Sequence, residues 1–260
     1  MSYQYYRPRW SKTVKNLIII NGILFLVGLI GGYRFYLFFG LVPKFVWKNL
    51  MLWQPITYMF LHGGFFHILF NMFALWMFGT EIEYLWGKKK FLKYYFITGV
   101  GAGILTVLTS PNSTIPTVGA SGAIYGILLA YGLLFPDRPI LLFFIIPIKA
   151  KHAVILFGII EFFAALSHTS GGIAHFAHLG GLLVGFVYLK VDIRHYFLSL
   201  KEKLIERKTS QQRWKVSKLK EEVDRILEKI SEDGIDSLTE EEKETLDQAS
   251  DIFEDTPWLH

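Results

Sequence analysis

The sequence predicts an all-α membrane protein: a bundle of six transmembrane helices followed by a short helical cytoplasmic tail. Three observations carry that expectation. Hydrophobic residues make up 52% and aromatic residues 17% of the 260 positions, more than a soluble domain of this size displays. Six apolar runs, near 14–30, 64–82, 92–110, 121–135, 150–167 and 175–191, are candidates to cross the bilayer, whose core of about 30 Å is spanned at about 1.5 Å per residue. After Lys190 the composition turns abruptly to charged, helix-favouring residues. The expected division is a cytoplasmic segment 1–12, a six-span unit 13–191 and a tail 192–260.

The first run is expected to be a retained helix. It follows Lys15 and ends at Gly31-Gly32 and Tyr33-Arg34 without a small-residue cleavage pattern. Arg7, Arg9, Lys12 and Lys15 precede it, Lys88, Lys89, Lys90 and Lys93 separate the second and third runs, and Arg138, Lys149 and Lys151 lie between the fourth and fifth. The alternate loops hold only Arg34, Lys44 and Lys48. This asymmetry predicts both termini in the cytoplasm; the cell (inner) membrane is the expected location. It also accounts for the net charge of +5, so no nucleic acid partner is expected. The fourth and fifth runs are short and interrupted by Pro136, Pro139 and Pro147, which leaves 140–148 as either an interfacial segment or part of the fifth helix. There is no cysteine, so no disulfide is expected.

In the tail, Val216, Leu219, Val223, Ile226, Leu227 and Ile230 recur at helical spacing and predict one apolar stripe. Asp233-Gly234 marks a turn, and either Ser237 with Glu240 or Thr239 with Glu242 forms a capping box for a second short helix. The acidic run there lacks the alternating ligands and sixth-position glycine of a calcium loop. The tail is read as a small helical module for a cytoplasmic partner.

Ionisable and strongly polar side chains within a span are costly, so each one is a candidate for function. Four clusters stand out: HGGFFHILFN with His62, His67 and Asn71; GASGAIYG with Ser121 and Tyr125; AHFAHLGGLLVG with His175 and His178; and Glu161 alone in ILFGIIEFFAAL. His67 and Asn71 share a helix face, as do Ser121 and Tyr125. Gly122 and Gly126 on the fourth run and Gly181 and Gly185 on the sixth form two small faces that permit close helix approach. A serine in such a place often only packs or bonds a carbonyl four residues back. With a histidine in reach as base it becomes a nucleophile, Gly119 permits an unusual turn before it, and the helix start aims free amides at a developing oxyanion. His67 and Asn71 serve either helix-to-helix bonding or that same oxyanion. On the sixth run, His178 lies within about 60° of Gly181 and Gly185, whereas His175 lies about 80–120° away, which favours His178 as the base.

With these motifs in this order, residues 10–191 resemble the rhomboid family of intramembrane serine proteases. HGGFFHILFN with the following GTEIE, then GASGAIYG, then AHLGGLLVG carry the likeness. The resemblance implies a compact six-helix bundle, a Ser–His dyad without a catalytic acid, cleavage of transmembrane segments of other proteins within the bilayer, and no cofactor or metal. By position it implies Ser121 as nucleophile and His178 as base. It implies His67 and Asn71, with Ser121, as the oxyanion site, Tyr125 as the ring stacked on the base, and Gly119 as the small residue before the nucleophile. Glu83 is implied to bond toward the first external loop, about 31–63, whose aromatic side chains suit the membrane interface. Gln54 after Trp53 departs from the Trp-Arg of many relatives and bears on how that loop is held. Glu161 has no catalytic counterpart and is expected to make an inward structural hydrogen bond.

Two other classes compete. His175, His178, His67 and Glu161 are a donor set suited to zinc or iron, although the HExxH pattern is missing and Ser121 would have no role. A protein that binds client helices without cutting them is disfavoured by the presence of both Ser121 and His178.

Overall fold

The computed structural model describes residues 10–142, 145–166, 172–234 and 237–255. Arg7, Arg9 and the last residues of the predicted tail lie outside them. The chain forms two compact units, Met1–Val191 and Asp192–His260.

The first unit begins with α1 (Lys12–Phe39), α2 (Pro43–Lys48) and α3 (Gln54–Thr57), which runs into a 3-10 turn Tyr58–Phe60. Helix α4 (Phe65–Ala74), a π segment Leu75–Gly79 and α5 (Thr80–Thr109) follow without a break. Next come α6 (Ser121–Leu134), the strands β1 (Pro139–Leu142) and β2 (Ile146–Lys149), α7 (Ala150–Leu166) and α8 (Gly172–Asp233). The part of α8 up to Val191 belongs to this unit. Among the described residues, Lys12–Phe39, Phe65–Thr109 and Ala174–Asp192 are long and apolar enough to cross a membrane, and Ser121–Leu134 is a shorter apolar helix.

The predicted break around Lys88–Lys93 is not a loop. Helical backbone continues through the lysines, good helix formers, and departs from helix at Gly87, with φ 76° and ψ 162°. Only glycine takes that conformation without strain, so one residue separates two apolar arms. The predicted first loop is also more ordered than its composition suggests, since it carries the end of α1, then α2, α3 and the 3-10 turn. Gln54, fully buried, pins it: Oε1 accepts from the Val42 amide at 2.9 Å, and Nε2 donates to the Leu37 carbonyl at 2.9 Å. The Trp53 indole donates to the neighbouring Phe38 carbonyl at 2.9 Å. A neutral amide can thus both donate and accept at one buried spot, which an arginine cannot.

Of the two readings of 140–148, part of the fifth helix is excluded: its described residues 140–142 and 146–148 lie in strands. β1 and β2 pair antiparallel, with Ile140 opposite Ile148 and Leu141 opposite Pro147. Proline denies a helix its amide and its ring space, and the isoleucines favour extended backbone. Asp137 bonds Lys149 at 3.1 Å and Lys151 at 2.9 Å, and these two ammonium groups hold its carboxyl below the usual range. Arg138 pairs with Glu81 of α5 and lies over the Phe135 ring.

Two of the aromatics buried in the core, Tyr58 and Tyr94, have their polar ends satisfied. Tyr58 donates to the Gly99 carbonyl and Tyr94 to the Gly126 carbonyl, each at 2.7 Å. Thr98 and Thr106 bond carbonyls one turn back at 2.8 and 2.9 Å. Such pairing is what an apolar medium requires of any hydroxyl it encloses. Glu83 does not bond toward the first external loop, as the resemblance implied. Its carboxylate accepts the Val14 amide at 3.0 Å and the Thr13 amide at 3.3 Å, at the start of α1. The first amides of a helix have no partner within it and carry partial positive charge, so a buried carboxylate is suited to them.

In the second unit, the later part of α8 and α9 (Glu240–Asp255) carry the tail. Ile226 is buried and Leu219, Val223 and Ile230 are half-buried, while Leu227 is 51% exposed and falls off the predicted stripe. The side chain of Val216 lies outside the described residues. Of the two capping boxes, Thr239 with Glu242 forms: the carboxylate accepts the Thr239 amide at 2.8 Å and the Glu242 amide donates to Thr239 Oγ1 at 3.3 Å. Lys229 binds the same carboxylate at 2.8 Å. Lys229 first, then the Thr239 amide, pull the Glu242 carboxyl down to about 2. That support is complete above the ordinary carboxylate range and is lost as pH falls through about 2.

Candidate active site

The approach to α6 is fixed before any reactive group is placed. Leu41 and Thr117 exchange two backbone hydrogen bonds of 2.9 Å each, and the Gly119 amide donates to the Tyr58 carbonyl at 3.0 Å. Gly119 has φ 130°, which L side chains rarely adopt. A Cβ there would lie 2.8 Å from His67 Nε2 and 3.5 Å from Ser121 Oγ. The missing side chain leaves a space bordered by both. Ser121 is then the first residue of α6, where amides are free of intrahelical partners.

Glycines bring α8 against α6. A Cβ at Gly181 would overlap the Gly122 carbonyl, and one at Gly185 would come within 3.3 Å of the Gly126 Cα. The two small faces therefore meet in register, Gly122 with Gly181 and Gly126 with Gly185. One turn before Gly181, His178 Nε2 lies 2.8 Å from Ser121 Oγ. The Tyr125 ring stacks on the His178 imidazole with centroids 4.4 Å apart and planes 13° apart, which fixes the plane of that ring.

Behind the imidazole sits Glu161 of α7, buried at 6% exposure. Its Oε1 accepts from the Tyr125 hydroxyl and lies 3.0 Å from His178 Nδ1. That last contact is close but off the ring N–H direction, so it is electrostatic rather than an aligned hydrogen bond. His175 Nδ1 meets the other oxygen, Oε2, at 2.5 Å. The inward hydrogen bond expected of Glu161 is thus present, but its partners are the residues around Ser121. The donor atoms of Glu161, His175 and His178 lie within 4.8 Å of one another. His67, the fourth residue of the predicted metal set, is not in that cluster.

His67 and Asn71 stand on α4. The His67 ring borders the space at Gly119, while Asn71 Nδ2 donates to the His67 carbonyl at 2.8 Å and its Oδ1 is buried without a partner among the described residues. One amide proton of Asn71 remains available. His62, in the stretch that leads into α4, is fully buried, its ring 5.0 Å from that of His67. The structure therefore brings Ser121, His178, Tyr125, Glu161 and His175 into one cluster, with His67 at its Gly119 side. Glu83 is apart from it, at the start of α1.

The position of Glu161 beside His178 is what sequence reasoning missed. The signal was present, since an acid on one span and two histidines three apart on another had been grouped as metal donors. Only tertiary packing shows that the carboxylate reaches the far side of the imidazole that touches Ser121.

Comparison with known proteins identifies the family. The rhomboid domain family matches residues 49–195, and a family of unknown function, DUF6576, matches 203–251. The chain is 36% identical over 134 residues to the rhomboid protease GluP of Bacillus subtilis, covering 52% of this chain and 25% of that protein. It is 31% identical over 134 residues to the mitochondrial rhomboid protein 1 of Saccharomyces cerevisiae, covering 50% and 38%. It is 34% identical over 148 residues to the mitochondrial RHOMBOID-like protein 6 of Arabidopsis thaliana, covering 54% and 45%. The chain spans less than two thirds of the length of the curated relatives it matches first. With the family match covering more than half of its length, and the apolar helices that accompany it, the chain is an integral membrane protein that belongs to the rhomboid family.

Proposed function

We propose that this protein is a serine endopeptidase that cleaves transmembrane segments of other membrane proteins within the bilayer. The observation that carries this reading is the 2.8 Å contact between Ser121 Oγ and His178 Nε2. The reaction starts when His178 Nε2 takes the Ser121 proton and Oγ attacks a backbone carbonyl. The tetrahedral oxyanion is stabilised by His67, by Asn71 and by amides at the start of α6. Its collapse passes the proton from His178 to the leaving amine and leaves an acyl-enzyme, which a water activated by the same imidazole hydrolyses. The client helix reaches the serine laterally, between the second and fifth spans. Apolar side chains exposed on α4, such as Phe66 and Phe70, and on α7, such as Phe162 and Phe163, support that route.

The test is an active-site probe. A fluorophosphonate is expected to label the wild type on Ser121, His178→Ala to abolish labelling and proteolysis, and His175→Ala to retain measurable amounts of both. Full activity in His178→Ala with loss in a folded His175→Ala protein would reverse the choice of base. A second reading, a divalent-cation site at Glu161, His175 and His178, rests on their convergence. It consumes the His178 needed by Ser121, so serine labelling that persists in a chelator is incompatible with it as the working state.

Six spans with both termini cytoplasmic complete the proposal, and the tail serves a cytoplasmic partner. The helical arms on either side of Gly87, together with α1, α6, α7 and the first part of α8, supply six apolar segments. Because the native chain has no cysteine, single cysteines placed near Ser113 and Ser210 report the topology cleanly. Modification of the two from opposite sides is expected. Modification from the same side would end the six-span reading.

A further inference from the structure

Each nitrogen of the His178 ring lies close to a different group, and the two groups ask different things of it. Nε2 lies 2.8 Å from the Ser121 hydroxyl, and Nδ1 lies 3.0 Å from Glu161 Oε1. A neutral imidazole has one N–H and one lone pair, and an ionised carboxylate only accepts. We propose that Glu161 is a positioning residue for proteolysis, holding His178 in the tautomer that can act as base; this rests on Ser121 and His178 being nucleophile and base.

The stacked Tyr125 ring fixes the plane of the imidazole but not which nitrogen carries the proton. Glu161 decides that, because a carboxylate beside Nδ1 favours the Nδ1–H form and leaves the Nε2 lone pair for Ser121. When the serine proton arrives at Nε2 the ring becomes a cation. A fixed negative charge 3.0 Å away stabilises it more strongly among apolar helices than in water. The carboxylate is itself held in place: the Tyr125 hydroxyl bonds Oε1, and His175 Nδ1 meets Oε2 at 2.5 Å. These contacts aim one oxygen at His178 and give a buried charge the partners it needs. Three helices supply the array: Ser121 and Tyr125 from α6, Glu161 from α7, and His175 and His178 from α8. His67 of α4 is the remaining titratable neighbour on the serine side.

In soluble serine proteases, removing the aligned acid costs about 10^4 in turnover through the wrong tautomer. Here the contact is off the N–H direction and the carboxylate is shared, so the expected loss is smaller, about 10- to 10^3-fold. Glu161→Gln tests it in the full-length protein in detergent. The variant is expected to keep its thermal midpoint within a few degrees. It is expected to label Ser121 with fluorophosphonate, and to turn over a transmembrane substrate, about 10- to 10^3-fold more slowly, with the loss in kcat and KM little changed. Imidazole 15N spectra of histidine-labelled wild type are expected to show His178 as the Nδ1–H tautomer, with Nε2–H gaining population in Glu161→Gln. A folded Glu161→Gln protein that labels and cleaves at the wild-type rate overturns the role of Glu161 and leaves Ser121 and His178 intact as the reacting pair. Wild-type His178 found as the Nε2–H tautomer overturns it even if the variant does not fold. A wild type that is never labelled on Ser121 removes the reading on which it rests.

Discussion

Ser121→Ala leaves a folded membrane protein that cleaves helix-destabilised transmembrane substrates at least about 10^4-fold more slowly than wild type, the scale on which serine proteases lose activity without their nucleophile. The hydroxyl is half-buried at the head of α6 and lies 2.8 Å from His178 Nε2, so deleting one oxygen is expected to remove the reaction without disturbing packing. Comparing membranes that contain wild type with membranes that contain Ser121→Ala then identifies natural substrates as fragments lost in the variant. Asn71→Ala separates the remaining roles: a fall of about one to three orders of magnitude marks an oxyanion donor, and a loss confined to thermal stability marks a helix-bonding role. Unchanged cleavage by folded Ser121→Ala would end the serine protease reading.

Gly181→Ala has the second large effect, although its added methyl touches no reacting atom. That methyl would overlap the Gly122 carbonyl, which is backbone and cannot rotate aside, so α8 must move away from α6. Overpacking of this kind costs about 1–3 kcal/mol, and a displacement of about 1 Å at a reacting pair costs about 10^2 in rate. Both losses are expected together, measured as a lower thermal midpoint and a lower kcat. Gly22→Ala on α1 is the control, because a Cβ at Gly22 meets nothing within 4 Å, and it should change neither. Wild-type turnover in Gly181→Ala would show that the close crossing is not what sets the distance between His178 and Ser121.

Most of the framework was legible because membrane helices announce themselves by composition. Six apolar runs appear as helical segments, and two glycine pairs on separate runs correctly paired α6 with α8. Spacing alone placed His178, one turn before Gly181, on the face toward Ser121, and the resemblance supplied the expected stacking of Tyr125, which is seen. What escaped depends on the third dimension. Nothing in ILFGIIEFFAAL says which face of α7 carries Glu161 or that a histidine ring waits there. Glu83 was expected to bond toward the first loop, yet its partners are the amides of Thr13 and Val14, 70 and 69 positions away. Pro136, Pro139 and Pro147 marked an interruption but left part of the fifth helix open for 140–148, and nothing in them showed that β1 and β2 pair. Gln54 looked like a missing arginine, and only its three neighbouring backbone groups show that an amide fits the site.

The paired bonds between Leu41 and Thr117 have a mechanical consequence. Two peptide groups that exchange both donor and acceptor in surroundings poor in water have no cheap half-open state, since breaking one bond alone strands a polar group. The first external loop and the stretch leading to Ser121 therefore behave as one hinged plate. Lifting the loop also pulls on Gly119, so movement at the rim and the geometry at the serine are geared to each other.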